Sequence, residues 1–167
     1  MQTLLAFVDF SEVTAAVVKA ATEIARAFQM DLLLLHVSTP DAEYEGHDFR
    51  ADTSRQGVAG EMQNVHRALH AMAADSAERG ISATALLVRG TSARGNVVPK
   101  MLREASRIRP ALIVMGTHGY GRLHQALLGS ASEAVVHKVK CPVLLVPSRA
   151  TKPVWPQFKS GKNHRDD

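Results

Sequence analysis

The sequence predicts a single-domain α/β protein: a doubly wound, five-stranded parallel sheet with helices on both faces. Two observations support this. Short apolar runs of strand length alternate along the chain with longer segments in which apolar residues recur at helical spacing. The strand runs, such as DLLLLHV at residues 31–37, are apolar at successive positions, which is typical of strands covered on both faces. This alternation favours parallel strands joined by helices.

The first third of the chain supplies two strands and one helix. A strand is predicted at residues 3–8 and a helix at residues 12–28, whose apolar residues recur three and four positions apart. The second strand is residues 31–37. The polar stretch at residues 38–60, which is acidic and rich in glycine, is predicted to be a surface loop.

The middle of the chain repeats the alternation. A helix is predicted at residues 61–79, with a glycine after it as a stop signal, and a strand at residues 82–88. Asn96 is predicted to cap a helix that starts at Val97 and ends before Pro110.

The last elements complete one domain, residues 1–148. They are a strand at residues 111–115, a helix at residues 131–139 and a strand at residues 142–146. Residues 149–167 are predicted to be a basic C-terminal tail, which holds +3 of the formal charge of +4.

Charge and composition exclude several classes of protein. Without the tail the domain carries a net charge of only +1, so the basic face of a nucleic-acid-binding protein is not expected. No apolar run approaches the roughly 18 residues of a membrane-spanning helix. The single Cys141 cannot form an internal disulfide, which predicts a cytoplasmic protein without thiol redox chemistry.

The segment after the fourth strand, GTHGYGRLHQALLGSAS from Gly116 to Ser132, is the candidate ligand loop. Its glycines let main-chain N–H groups approach a ligand closely. A helix N-terminus at Ser130 adds unpaired N–H groups and the positive end of a helix dipole, with the Ser130 hydroxyl as a phosphate contact or N-cap. Together these features predict a phosphate-binding loop.

The spacing of four residues in this loop resembles that of a known family. Gly116, Gly119, Gly129 and Ser130 match the G-x2-G-x9-G-S/T signature of nucleotide-binding universal stress proteins. LLAFVDFS, LHV, IVMGTHG and CPVLLVP resemble other conserved segments of that family, and the resemblance covers roughly residues 2–147. Phe10 stands where the family often has glycine, and it is expected to narrow the pocket.

The resemblance implies a sheet of order 3-2-1-4-5 with ATP held across the ends of strands one and four. It implies that Asp9 lies near the adenine and ribose and that the Val37 main chain meets the adenine edge. It also implies that Gly116 and Gly119 lie near the ribose and phosphates, and that Gly129 and Ser130 contact the phosphates. From the residues alone, Asp9 has a second interpretation, in which it holds the turn with Ser11 as helix N-cap.

No catalytic residue and no metal site is predicted. The chain lacks the P-loop, dinucleotide-binding and nucleophile-elbow motifs, and its loop offers no general base or carboxylate pair for a metal. The expected function is ATP binding in a regulatory or sensory stress protein, with at most slow hydrolysis and Mg²⁺ or Mn²⁺ held mainly by the phosphates. The alternatives are a nucleotide-free dimeric adaptor and a genuine nucleotide hydrolase that uses His118 or His124.

The expected partners are an adenine nucleotide and a second copy of the chain, and neither nucleic acid nor a membrane is expected. The apolar run Val143–Val146 lies at a sheet edge in the implied order, which predicts a homodimer through this strand. His66 and His70 share a helix face without an evident third metal ligand, and His36 is expected at the rim of the pocket.

Overall fold

The structure, a computed structural model, describes residues 1–38, 55–90, 97–117 and 129–147. Within these ranges five parallel strands form one sheet of order β3-β2-β1-β4-β5. Strands and helices alternate, in the order β1 Thr3–Phe7, α1 Thr14–Ala27, β2 Asp31–Ser38, α2 Arg55–Ala77, β3 Ala83–Arg89, α3 Val97–Ile108, β4 Leu112–Gly116, α4 Ser130–Lys138 and β5 Val143–Val146. The predicted fold class and strand order are confirmed.

Two helices begin elsewhere than predicted. Helix α2 begins at Arg55, inside the predicted loop. Gly57 and Gly60, which had indicated a loop, lie within the helix, where a glycine costs only about 1 kcal/mol. Helix α1 begins at Thr14, and its N-cap is Val13 without a side-chain hydrogen bond. The prediction of Ser11 as N-cap is wrong, since the Ser11 hydroxyl bonds instead to Asp9.

The core has two layers because successive strand residues point to opposite faces of the sheet. Leu4, Ala6 and Val8 of the first strand segment pack on one side with α1 and α2. Leu5 and Phe7 pack on the other side with α3 and α4. Burying a leucine of this kind stabilises the fold by roughly 1.5–3 kcal/mol, and Leu4, Leu5, Leu32, Leu34 and Leu35 are all buried.

The sheet order determines where a ligand site can form. The chain passes from β1 to β2 through α1, which lies on one face of the sheet. Strand β4 lies on the other side of β1, and the chain reaches it through α3 on the opposite face. The topology therefore reverses between β1 and β4, and such a point leaves a crevice beyond the carboxyl ends of the strands. The predicted ligand loop leaves β4 at this crevice.

Several sequence predictions fall outside the described residues: the cap Asn96, the loop residues His118, Gly119 and His124, and the tail at residues 149–167. Among the helices that the structure does describe, none is long and apolar enough to cross a membrane.

Replacing Leu34, which is fully buried, tests the central layer. Leu34→Ala is expected to lower the free energy of unfolding by about 2–5 kcal/mol, because it leaves a cavity in a packed core. The control Phe28→Ala alters a side chain that is 73% exposed, and it should change stability by no more than about 0.5 kcal/mol. Urea denaturation followed by circular dichroism measures both, and equal losses would contradict the described packing.

Candidate functional site

Asp9 forms a hydrogen-bonded turn between β1 and α1. Its Oδ1 accepts hydrogen bonds from the Ser11 amide at 3.0 Å, the Ser11 hydroxyl at 2.6 Å and the Thr14 hydroxyl at 3.1 Å. This is the side-chain-to-backbone arrangement by which aspartate stabilises turns. Within the described residues no donor bonds to Oδ2 of the same carboxylate.

Phe10, the next residue, has an unusual backbone conformation. Its φ is +59°, in the left-handed region where a residue with a Cβ is disfavoured and glycine is not. Its ring meets His36 edge-on, with 4.8 Å between ring centroids and an interplanar angle of 71°, and it packs against the core layer of α1. Because the ring is directed into that layer, the structure gives no support to the expectation that Phe10 narrows the pocket.

His36 is buried beneath this turn, with 8% of its surface exposed. The expectation of a rim residue is therefore wrong. Its Nδ1 lies 2.7 Å from the Val8 carbonyl oxygen, which can only accept, so Nδ1 carries a proton and donates it. Burial lowers the pKa of His36 below its ordinary value, opposed by this hydrogen bond and by the charge of Asp9. The ring is neutral at physiological pH.

The sheet register brings Val37 to the same edge as Asp9. Phe7 pairs with Leu35 at the end of β1, and Asp9 and Val37 each follow this pair by two residues. The Leu35 carbonyl accepts a hydrogen bond from the Val8 amide and so faces β1. Backbone carbonyls two residues apart in a strand point to the same side. The Val37 carbonyl therefore points to the same side as the Leu35 carbonyl, at a level just beyond the end of β1.

Side-chain and backbone hydrogen bonds tie the end of β4 to the start of α4. The buried Ser132 hydroxyl donates to the Gly116 carbonyl at 2.8 Å and to the Thr117 carbonyl at 3.0 Å. The Gly129 amide donates to the Thr117 carbonyl at 2.7 Å. The structure thereby brings together Gly116, Gly129 and Ser130, three of the four signature residues. The fourth, Gly119, lies outside the described residues.

Helix α4 starts at this junction. Gly129 is its N-cap, in an extended conformation with φ −70° and ψ 153°, and it offers no side chain to bond the helix amides. Ser130 is therefore the first helical residue instead of the cap, and it is exposed. An uncapped helix N-terminus carries partial positive charge and free N–H groups, which is the arrangement that binds phosphate groups in proteins.

The described residues hold no cluster of three or more histidine, cysteine, aspartate or glutamate side chains that could bind a metal ion. His66 and His70 lie on one face of α2, with 4.2 Å between ring centroids, as their spacing predicts. Both are exposed, and no further ligand accompanies them in the described part of the chain.

Two residues of the site did not emerge from the sequence. Thr14 and Ser132 are small hydroxyl residues in helices, and nothing in their spacing distinguishes them. His36 did carry a signal, because it is the polar residue near the end of an otherwise apolar strand. A histidine inside such a run has to satisfy its ring nitrogens within the fold.

The model of the universal stress protein family matches residues 1–147. A curated relative, the "universal stress protein in QAH/OAS sulfhydrylase 3'region" of Thermus aquaticus, is 34% identical over 139 residues, which are 83% of this chain and 90% of that protein. A crystal structure of a universal stress protein from Burkholderia pseudomallei is 25% identical and matches with a TM-score of 0.64, covering 87% of this chain and 96% of that one.

Two further solved structures with the same fold contain nucleotides. One is a universal stress protein in complex with cAMP, with a TM-score of 0.59, 20% identity and coverage of 89% of this chain and 98% of that one. The other is a universal stress protein from Archaeoglobus fulgidus in complex with dAMP, with a TM-score of 0.58, 16% identity and coverage of 87% and 96%.

The lowered pKa of His36 predicts how stability changes with pH. Between the folded pKa and the ordinary value of about 6.5, the unfolded chain binds more protons than the folded one, so stability falls as pH decreases through 6.5. His36→Asn keeps a donor near Nδ1 but does not titrate. The decrease in the free energy of unfolding between about pH 7.5 and pH 5 is therefore expected to be smaller in His36→Asn than in the parent. Urea denaturation at each pH measures it. Parallel pH curves would contradict this assignment.

Proposed function

The chain belongs to the universal stress protein family, and we propose that it is an ATP-binding member with a regulatory or sensory role. The observation that carries the proposal is the junction of β4 and α4, where Ser132 and Gly129 bring Gly116 and Ser130 to one place. This place lies next to the carboxyl end of β1, where Asp9 is found.

The nucleoside half of the proposed site is formed by β1 and β2. Asp9 offers Oδ2 to a ribose hydroxyl while its Oδ1 is held by Ser11 and Thr14. The Val37 main chain, two residues past the last β1–β2 pair, offers polar groups to the adenine edge. Charge-assisted hydrogen bonds to a held carboxylate are among the stronger polar contacts that a protein can offer.

The phosphate half is the start of α4 together with the loop after β4. In the proposal the α4 amides and the Ser130 hydroxyl bind phosphate oxygens, with Gly116 and Gly119 near the ribose and phosphates. The N-cap glycine supports this role because it has no side chain of its own that could bond to the helix amides. The cAMP and dAMP complexes of proteins with this fold support an adenine nucleotide as the ligand class.

Hydrolysis is proposed to be slow at most. Rapid phosphoryl transfer requires an oriented nucleophile, a held metal and charge stabilisation. The described side chains around the site include two carboxylates: Asp9, whose Oδ1 is engaged in the turn, and Glu133 in the first turn of α4. A divalent ion, Mg²⁺ or Mn²⁺, would be held mainly by the phosphates. The nucleotide then acts as a controlling ligand.

We further propose a cytosolic homodimer that pairs through β5. This strand is an edge of the sheet, and Leu144 within it is 37% exposed, so an apolar edge is open to a second copy. A cytosolic location is supported by the single Cys141, which has no second cysteine in the sequence with which to form an internal disulfide.

Asp9→Asn tests the nucleoside half of the site. Asparagine keeps an oxygen for Ser11 but replaces Oδ2 with an amide donor and removes the charge. The Kd for ATP is expected to rise about tenfold or more, the equivalent of losing one charge-assisted hydrogen bond. Isothermal titration calorimetry measures it, with Glu12→Gln as the matched control because Glu12 is an exposed acid three residues away. No heat of binding from the parent protein would contradict the proposed function.

Leu144→Glu tests the dimer. A carboxylate at the exposed apolar edge is expected to repel its counterpart, so the variant should be a monomer by light scattering at micromolar concentration while the parent is a dimer. Phe28→Glu, which adds the same charge at another exposed apolar position, should remain a dimer. A monomeric parent protein at micromolar concentration would contradict the proposed homodimer.

A further inference from the structure

We propose that His36 is a positioning residue for nucleotide binding, which fixes the Asp9 turn relative to β2. The inference rests on the proposed function, because it concerns the same site. It follows from how the two residues flanking Asp9 are held: Val8 by a hydrogen bond from His36, and Phe10 by ring contact with it.

The hydrogen bonds of Asp9 itself hold the turn and join it to the start of α1. The donors to its Oδ1 belong to Ser11 and Thr14, which lie two and five residues further along the chain, and Thr14 is the first residue of α1. The turn and the start of this helix are therefore held as one unit. These hydrogen bonds do not determine where the carboxylate lies relative to Val37, which is on another strand.

His36 provides a link between that unit and β2. The Val8 amide donates to the Leu35 carbonyl at 2.9 Å where β1 ends, and the His36 ring adds a side-chain link just beyond, at the Val8 carbonyl. Val37, the residue proposed to meet the adenine, directly follows His36. One short segment of β2 therefore supports both the adenine contact and the turn that carries the ribose contact.

The second contact of His36 is with the strained residue of the turn. Phe10 holds a φ of +59°, which persists only where its surroundings fix it. The edge-on contact between the Phe10 and His36 rings is a favourable aromatic geometry, and both rings lie against the core layer. The His36 imidazole therefore contacts the residues on both sides of Asp9, through the Val8 carbonyl and the Phe10 ring, and makes no hydrogen bond to the Asp9 carboxylate itself.

Three substitutions separate positioning from stability. His36→Leu fills the space but cannot donate, His36→Asn places an N–H close to the position of Nδ1, and His36→Gln carries the same group one methylene further out. Leu69→Ala is the control, because Leu69 is fully buried in the same core layer but lies on α2. It lowers stability without altering the contacts of the turn.

ATP titration calorimetry is the test. The Kd is expected to rise about tenfold in His36→Leu and His36→Gln, and to stay within about threefold of the parent in His36→Asn and Leu69→Ala. The inference is overturned if His36→Leu and His36→Gln bind as the parent does, or if Leu69→Ala loses as much affinity as they do. If His36→Leu does not fold, the comparison of His36→Asn with His36→Gln decides.

An NMR measurement without nucleotide keeps this inference distinguishable from the proposed function. Long-range ¹H–¹⁵N correlation of the nucleotide-free parent should show His36 as the Nδ1-protonated tautomer, with that proton exchanging slowly with water. A His36 protonated at Nε2 alone overturns the inference even if ATP binds. The expected tautomer without any ATP binding overturns the proposed function, and with it the role assigned to His36.

Discussion

The pairing of β1 with β2 on one side and β4 on the other is the constraint on which the site depends. β1 is buried on both faces, from Leu4 through Val8, so its position in the core leaves little freedom to shift register. Because all three strands are parallel, their carboxyl ends meet at one edge, and the residues that follow them become neighbours. Asp9, Val37 and Gly116 are far apart in the chain, and the sheet order brings the strand ends that carry or precede them to one edge.

Around that edge hydrogen bonds fix the backbone at the end of β4 and in the Asp9 turn. The Ser132 hydroxyl and the Gly129 amide close the base of the ligand loop, while the glycine cap has no side chain to bond to the first amides of α4. At the other end of the crevice Oδ1 of Asp9 accepts three hydrogen bonds, and no donor among the described residues bonds to Oδ2. Such groups are oriented before a ligand arrives, so binding does not have to order them.

The strands and the sheet class could be predicted because buried parallel strands are uniformly apolar, and this pattern is visible in the sequence. The signature glycines were found because their spacing is fixed. Local choices were less predictable. Ser11 matched an N-cap, yet its hydroxyl bonds to Asp9, and α2 runs through glycines that resemble loop signals. His36 was expected at the rim because it lies at a strand end, but the Val8 carbonyl gives its ring a buried partner. The partner that each of these polar side chains takes depends on the tertiary structure around it, which the local sequence does not show.

The most direct measurement is a crystal structure of the protein with saturating ATP. It should show the phosphates against the amides at the start of α4, a ribose hydroxyl on Oδ2 of Asp9 and the adenine edge at the Val37 main chain. ATP bound at another surface, or a crevice between β1 and β4 filled by the protein's own side chains, would contradict the account.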